Sequence, residues 1–337
     1  MTTLDMPTTT QSVQKARRRF TLKTEGERFA LVGAWLLLIA IFGTLMPESF
    51  LSWRSFSTLF GSQAVLVVLT LAIVIPLTSG DFDLSGASTL TMSTMLIAVL
   101  NVKLGWPIIP VIVIALVSGV VIGALNAVFV LYFRIHSLIV TLGIGTFVNG
   151  LILWISNSQT ISGISMGLVE WVIINRLFGI PLAFFYALIL TTVLWYVLEF
   201  TIAGRKLLFV GRGREVSRLN GIDVDRVRAG AFMFSGLISA FAGVLYGGMT
   251  GSADPLSGLN LLLPAFAAAF LGATTISPGR FNAFGAVISV YFLVTGITGL
   301  TMLGADAYVQ NLFYGGALVV AVSLSQLVRN RQPQDFS

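Results

Sequence analysis

STLFGSQAVLVVLTLAIVIPLTSGDFDLSGAS, residues 57–88, sets a long apolar run against two carboxylates, Asp81 and Asp83. The run from 57 to 79 has the length a helix needs to cross about 30 Å of hydrocarbon. Helix is the expected form, because every backbone polar group is then satisfied within the segment. Another apolar segment begins two residues after Asp83. Charge is expensive at such a depth. The two aspartates therefore belong either to a turn at the membrane edge or to a functional site inside a helix bundle.

Composition agrees with a polytopic membrane chain. The 337 residues are 56% hydrophobic and only 10% charged, with a mean hydropathy of +0.92. Soluble domains carry about 25% charged residues. There is no cysteine, which excludes disulfides and thiolate chemistry. A single histidine, His136, rules out the usual His- or Cys-rich zinc site; its position beside Arg134 predicts a helix-end residue near the headgroups. The net charge of +6 reads as the positive-inside bias and not as a nucleic-acid footprint. ARRRFTLK, residues 16–23, superficially resembles a twin-arginine signal. The apolar stretch that follows is long and has no small-residue cleavage site after it. A retained cytoplasmic tail over 1–28, polar and Thr-rich at its start, is expected instead.

Ten apolar segments mark an all-α bundle of about ten transmembrane helices: 29–47, 57–79, 85–101, 107–133, 136–156, 180–200, 230–252, 259–277, 282–301 and 307–328. With a cytoplasmic tail and alternating sides, seventeen of the twenty Lys and Arg residues fall inside, and Arg54, Lys103 and Arg176 fall outside. That asymmetry predicts both termini in the cytoplasm, with a transmembrane domain over 29–328 and a short cytoplasmic tail over 329–337. Two connections are long. Residues 157–179 lie outside and hold enough apolar residues for a short interfacial helix. Residues 201–229 lie inside and are the most charged stretch. Within them GREVSRLNGIDVDR, 213–226, predicts a short amphipathic helix that stops at Asn220-Gly221. Val216 and Leu219 share one face of it. DLSG, 83–86, precedes the third segment and PLSG, 255–258, the eighth, as a five-plus-five inverted repeat would place them.

Several groups are candidates for a polar path: Asp81, Asp83 and Ser85 at the helix break, Asn126, Thr141 and Asn149 within helices, and also Gln63 and Thr70. Hydroxyl and amide groups inside helices also serve as interhelix hydrogen bonds, and both readings stand. Asp83 is placed to cap the third helix; Asp81 either does so less directly or meets a basic partner. Glycines in LGIG (142–145), YGG (246–248) and YGGA (314–317) are expected to permit close helix packing.

Four stretches taken together resemble a known family. GRKLLFVGRGREVSRLNGI, 204–222, is similar to the cytoplasmic G-R-x-x-x-A-x-G-x-N-x-x-A-A-x-x-x-G-I pattern of sugar-type permease subunits of bacterial ABC importers, the ribose, xylose, arabinose and galactose group. LTSGDFDLSGAS, 77–88, resembles that family's G-G-I-D-L-S-V-G-S element. IHSLIVTLGIGTFVNGL, 135–151, resembles its P-F-I-V-T-L-G-T helix, and FLGATTISPGRFNAFGAVISV, 270–290, its I-G-G-T-S-L element. The departures include Ser79, Phe82, Gly86, His136, Arg214, Ser217-Arg218 and Pro278-Gly279.

The resemblance implies a type II-like ABC importer permease that carries a monosaccharide or related polyol across the bacterial inner membrane. It implies a cytoplasmic ABC ATPase, a periplasmic sugar-binding protein and a second permease subunit, forming a homodimer or a heterodimer within the lipid bilayer. The 201–229 loop would insert into the ATPase, with Arg214, Glu215, Arg218, Leu219 and Gly221 as contacts. No G-x-x-x-x-G-K-[ST] phosphate loop is present in the sequence, so the chain is expected not to be an enzyme. It is expected to bind no cofactor itself, with ATP used by the partner. The alternative is an ion-coupled secondary transporter that uses Asp81 and Asp83.

Overall fold

Every one of the ten apolar segments folds as helix in the computed structural model, which describes residues 28–329, with side chains through 323. The tails expected at 1–28 and 329–337 lie outside the described residues except for Arg28 and Arg329. Seven helices among the described residues are long and apolar enough to cross a membrane. They are α1 (Arg28–Leu45), a jointed pair α3 (Trp53–Ser62) and α4 (Ala64–Thr78), α6 (Ile108–Leu131), α7 (Ser137–Ser156), α9 (Leu182–Phe200), α12 (Val224–Thr250) and α14 (Ala283–Met302). A single turn, α2 (Pro47–Phe50), joins α1 to α3.

The remaining three segments are α5 (Gly86–Ala98), which finishes as a π-helix over Val99–Lys103, α13 (Leu259–Gly272) and α15 (Ala307–Arg329). At ~1.5 Å per residue, α13 and the α-helical part of α5 reach only about 20 Å. The expected 259–277 segment thus stops at Gly272, and α12 starts six residues before the expected 230.

The long connection over 157–179, expected outside, is partly buried against the bundle. It contains α8 (Met166–Val169) and a π-turn over Glu170–Ile174. Met166 and Trp171 are exposed, but Leu168 and Val172 are buried, with Val172 against Gly248 of α12. Strand β1 (Ile161–Ser162) pairs antiparallel with β4 (Ser252–Ala253), and β2 (Arg176–Leu177) with β3 (Ile180–Pro181). The first pairing fastens this connection to the end of α12.

Residues α4, α5 and α12 form the centre. All fifteen residues of α4 are buried, and α5 is buried almost throughout although it reads GASTLTMSTMLIA. Four of its five hydroxyls, those of Thr89, Thr91, Ser93 and Thr94, donate to backbone carbonyls. Ser93 Oγ donates to the Ala240 carbonyl at 2.7 Å and Thr94 Oγ1 to the Gly243 carbonyl at 2.8 Å. Such bonds let a polar helix sit in an apolar medium. These contacts, and those at the two helix starts, make α5 and α12 run in parallel.

The helix α6 crosses α12 antiparallel and at backbone distance. Gly119 and Gly123, a G-x-x-x-G pair, lie against Gly236 and Phe232. A methyl group on Gly119 would enter the Gly236 carbonyl, and one on Gly236 would enter the Gly119 carbonyl. Of the expected packing glycines, Gly145, Gly247 and Gly248 do meet neighbours. Gly143, Gly315 and Gly316 have nothing within 4 Å of an added methyl, because they face outward.

Gly236→Leu is therefore expected to force α6 off α12, at a cost of about 3 kcal/mol or more from overpacking, seen as loss of monodisperse protein after detergent extraction. Gly143→Leu should extract and unfold like the parent chain.

Candidate functional site

The break between α4 and α5 answers the question of the two aspartates. Gly80 takes a left-handed φ of +79°, which only glycine adopts without cost, and the chain turns there. Residues 81–83 then have no regular secondary structure, and a turn over 84–85 leads into α5. Both carboxylates are buried, and they do different work.

Asp81 is the basic-partner alternative realised. Its side chain is 2% exposed. Arg228, in the first turns of α12, grips it with both arms: Nε donates to Oδ2 at 2.7 Å and Nη2 to Oδ1 at 2.7 Å. A second guanidinium, from Arg214, donates Nη2 to Asp81 Oδ1 at 3.0 Å and to the Gly80 carbonyl at 3.2 Å. The paired fork of Arg228 is the strongest geometry a carboxylate can accept. Burial pulls Arg214 below its ordinary pKa, and Asp81 opposes that shift. Arginine remains charged regardless, so two cations share one anion. A carboxylate locked in this way is a poor ion carrier, which removes the first carrier of the ion-coupled alternative.

Among the described residues Asp83 forms no ion pair, and its bonds are to hydroxyls and an amide. Its Oδ1 accepts from the Ser85 amide at 3.1 Å and from Ser85 Oγ at 2.6 Å, and its Oδ2 accepts from Ser235 Oγ of α12 at 2.8 Å. The first bond satisfies a free amide at the start of α5, as a capping side chain does; Ser85 at the formal cap position makes no such bond. Ser85 Oγ in turn accepts from Asn126 Nδ2 of α6 at 2.7 Å. Thr141 of α7 accepts from the Leu84 amide at 3.1 Å, and Ser137 Oγ from the Phe82 amide at 3.1 Å. The break is thus held by α6, α7 and α12 together. Asn126 Oδ1 and Ser239 Oγ remain buried without a hydrogen-bond partner.

Asp83, Ser85, Asn126 and Thr141 are brought into one network. Asn149 lies further along α7, half-buried and outside it. Gln63 sits at the α3–α4 joint, with its amide on Ser62. Thr70 spends its hydroxyl on the Leu66 carbonyl at 2.7 Å. His136 caps α7, its Nδ1 accepting from the Leu138 amide at 3.3 Å.

Beside the break lies the charged connection, as two helices: α10 (Ile202–Arg212) and α11 (Arg214–Leu219). The helix α11 ends at Asn220-Gly221 as its sequence predicts; Gly221 has φ +77°, and its amide donates to the Arg218 carbonyl at 2.9 Å. Gly221 is thereby a turn residue. Glu215, Val216, Arg218 and Leu219 are exposed, Leu219 at 88%, and Arg218 pairs with Asp225 at 3.3 Å. Arg214, also expected among the contacts, reaches Asp81 with one nitrogen while its side chain stays 42% exposed.

Three groups at the centre of the site escape the sequence. Arg228 counts there only as one of many basic residues, and Ser235 and Ser239 only as helix serines. Their spacing of seven and four residues puts all three on one stripe of α12, a signal that was available.

Asp81→Asn leaves Arg228 unpaired in the bundle and is expected to cost about 3–5 kcal/mol, read as a lower detergent melting temperature. Combining it with Arg228→Gln should recover part of the loss. Asp83→Ala strands three donors at about 1–3 kcal/mol each. Asp83→Asn keeps the Ser85 bonds and offers Nδ2 to Ser235, so it should melt close to the parent.

The comparisons with known proteins fit this geometry. Residues 55–322 match the family described as "Branched-chain amino acid transport system / permease component". The D-allose transport system permease protein AlsC of Escherichia coli (strain K12) is 29% identical over 292 residues, covering 87% of this chain and 89% of that protein. The ribose import permease protein RbsC of the same strain is 30% identical over 320 residues, 93% and 98% of the two chains. The xylose transport system permease protein XylH is 25% identical over 366 residues, 90% and 92%. No solved structure matches the chain. A multi-pass helical bundle, matched along most of its length by sugar permeases, is a transport subunit and not itself an enzyme: the chain belongs to the branched-chain amino acid transport system permease component family.

Proposed function

We propose that the chain is the permease subunit of an ABC importer in a bacterial inner membrane, that it passes a monosaccharide or related polyol, and that a separate ATPase drives it. The observation that carries this reading is the packing of the start of one short helix, α13, onto the first two turns of another, α5, inside the bundle. The Gly258 amide, at the start of α13, donates to Thr91 Oγ1 of α5 at 3.0 Å, and an added methyl there would strike the Ala87 carbonyl. Short helices whose positive ends lie inside the bundle are the usual pointer to a transport site. Each follows one copy of the DLSG/PLSG pair and they run in opposite directions, which supports a five-plus-five inverted repeat within a ten-span, type II-like bundle. The groups around the start of α5 are hydroxyls and an amide with one uncompensated carboxylate. That is chemistry for a neutral, hydroxyl-rich solute.

The drive would enter at α11. It exposes Glu215, Val216, Arg218 and Leu219, and Val216 lines a cleft of about 320 Å³ that runs from Phe209 and Arg212 to Asn220 and Ile222. Val216 and Leu219, both exposed on this charged face, together suit a protein contact. On this reading that face is cytoplasmic, with both termini on it. An external sugar-binding protein delivers the solute, and a second permease subunit, identical or not, completes the pathway. ATP is bound and used by the partner.

Leu219→Asp should abolish copurification of the ATPase without changing the melting temperature of the permease. Uptake by the intact complex should follow labelled D-allose, D-ribose or D-xylose and survive collapse of the ion gradient. Uptake of branched-chain amino acids instead, or loss of uptake with the gradient, would overturn the proposal.

A further inference from the structure

We propose that Arg214 is an internal strut that transmits movement of α11 to the helix break, and that Asp81 is the anchor it pushes and pulls on. The inference rests on the importer reading above and deepens it, by naming the connection between the docking helix and the path.

The two arginines on Asp81 are not equivalent. Arg228 is nearly buried, with its side chain 10% exposed, and binds both carboxylate oxygens. It neutralises Asp81 whatever Arg214 does. Arg214 is 42% exposed, binds through one nitrogen and shares that nitrogen with the Gly80 carbonyl. It is the surplus cation, and water can take its place without leaving a bare carboxylate in the bundle. One contact is therefore built to persist and the other to be broken and remade.

The placement of α11 fits this role. It joins α10 through Gly213 and is held to α12 by the 220–223 turn and the Arg218–Asp225 pair, while the end of α10 is clamped: a methyl on Gly211 would run into the Thr78 carbonyl. The hydrogen bonds that link α11 to the break come from its first residue, Arg214. On the other side of the break, Asp81 stands two residues from Asp83, whose oxygens hold Ser85 and Ser235, with Asn126 bonded to Ser85. A shift of α11 that loads or releases Arg214 thus acts on the peptide segment that sets the start of α5. The route consists of bonds between named atoms and crosses from the exposed face to the buried network in a few residues, as physical coupling requires.

Arg214→Gln in the assembled, liposome-reconstituted importer tests it, with ATP hydrolysis and uptake of the labelled sugar that the wild-type complex imports measured together. Insertion, ATPase copurification and ATP hydrolysis should be retained, while sugar moved per ATP falls by roughly five- to thirtyfold, the range of typical coupling effects. Arg214→Lys, which keeps a cation within reach of Asp81, should restore part of the ratio. An unchanged ratio in Arg214→Gln overturns the strut. Loss of ATPase binding makes Arg214 a partner contact and overturns it too, while leaving the importer reading intact. Failure of the variant to accumulate assigns Arg214 to folding and also overturns it. A wild-type chain that captures no ATPase removes the importer reading itself, an outcome distinct from the other three.

Discussion

A carboxylate that leaves water must be paired, and Asp81 is paired by a residue 147 positions away in the chain. The Arg228 fork fixes the start of α12 against the end of α4. That contact sets the depth at which α12 runs beside α5, and so decides which carbonyls Ser93 and Thr94 can reach. It also brings Ser235 level with Asp83. Without the pair, the break between α4 and α5 would have an exposed edge and no reason to enter the bundle. Lone buried charges are among the most destabilising features a fold can carry, so the pairing is a condition on the architecture and not an ornament to it.

Around that fixed point the bundle is built with its polar side inward. The most apolar helix, α6, is largely exposed along its length, whereas α12, the least apolar of the seven long helices, is mostly buried. Lipid tails are as apolar as leucine, so hydrophobicity gives a helix no reason to seek the interior. Small residues and hydroxyls supply one instead. The glycine crossing of α6 and α12 brings two backbones together, and α5 trades its hydroxyls for bonds to carbonyls of α12. The result is a centre that is close-packed yet contains donors and acceptors, with Asn126 Oδ1 and Ser239 Oγ unspent.

The exposed face ends the same chain of contacts. The helix α11 is joined to α10 at Gly213, to α12 by the Arg218–Asp225 pair and to the break by one surplus arginine, while Glu215, Val216 and Leu219 are exposed. On the strut proposal α11 moves while Arg228 keeps Asp81 paired. Within the importer family, this gives the charged connection a role beyond solubility: it stands between an exposed apolar contact and a buried polar network.

The sequence by itself determined the helices, because a segment that crosses hydrocarbon must satisfy its own backbone, and ten apolar runs leave few alternatives. It also determined the stop at Asn220-Gly221 and the helix-end place of His136, since each is a local consequence of backbone geometry. Part of the site was legible too: Asp83 beside Ser85 reads as a helix start from spacing alone. Only the tertiary structure decided that Asp81 belongs to Arg228, that Arg214 reaches the same carboxylate, that Gly119 meets Gly236 while Gly316 meets nothing, and that α4 is central while α1 is peripheral. The physical reason is common to all four. In a membrane chain nearly every helix is apolar on every side, so composition cannot separate a lipid-facing surface from a protein-facing one, and the partners of a buried charge are fixed only when distant helix ends come together.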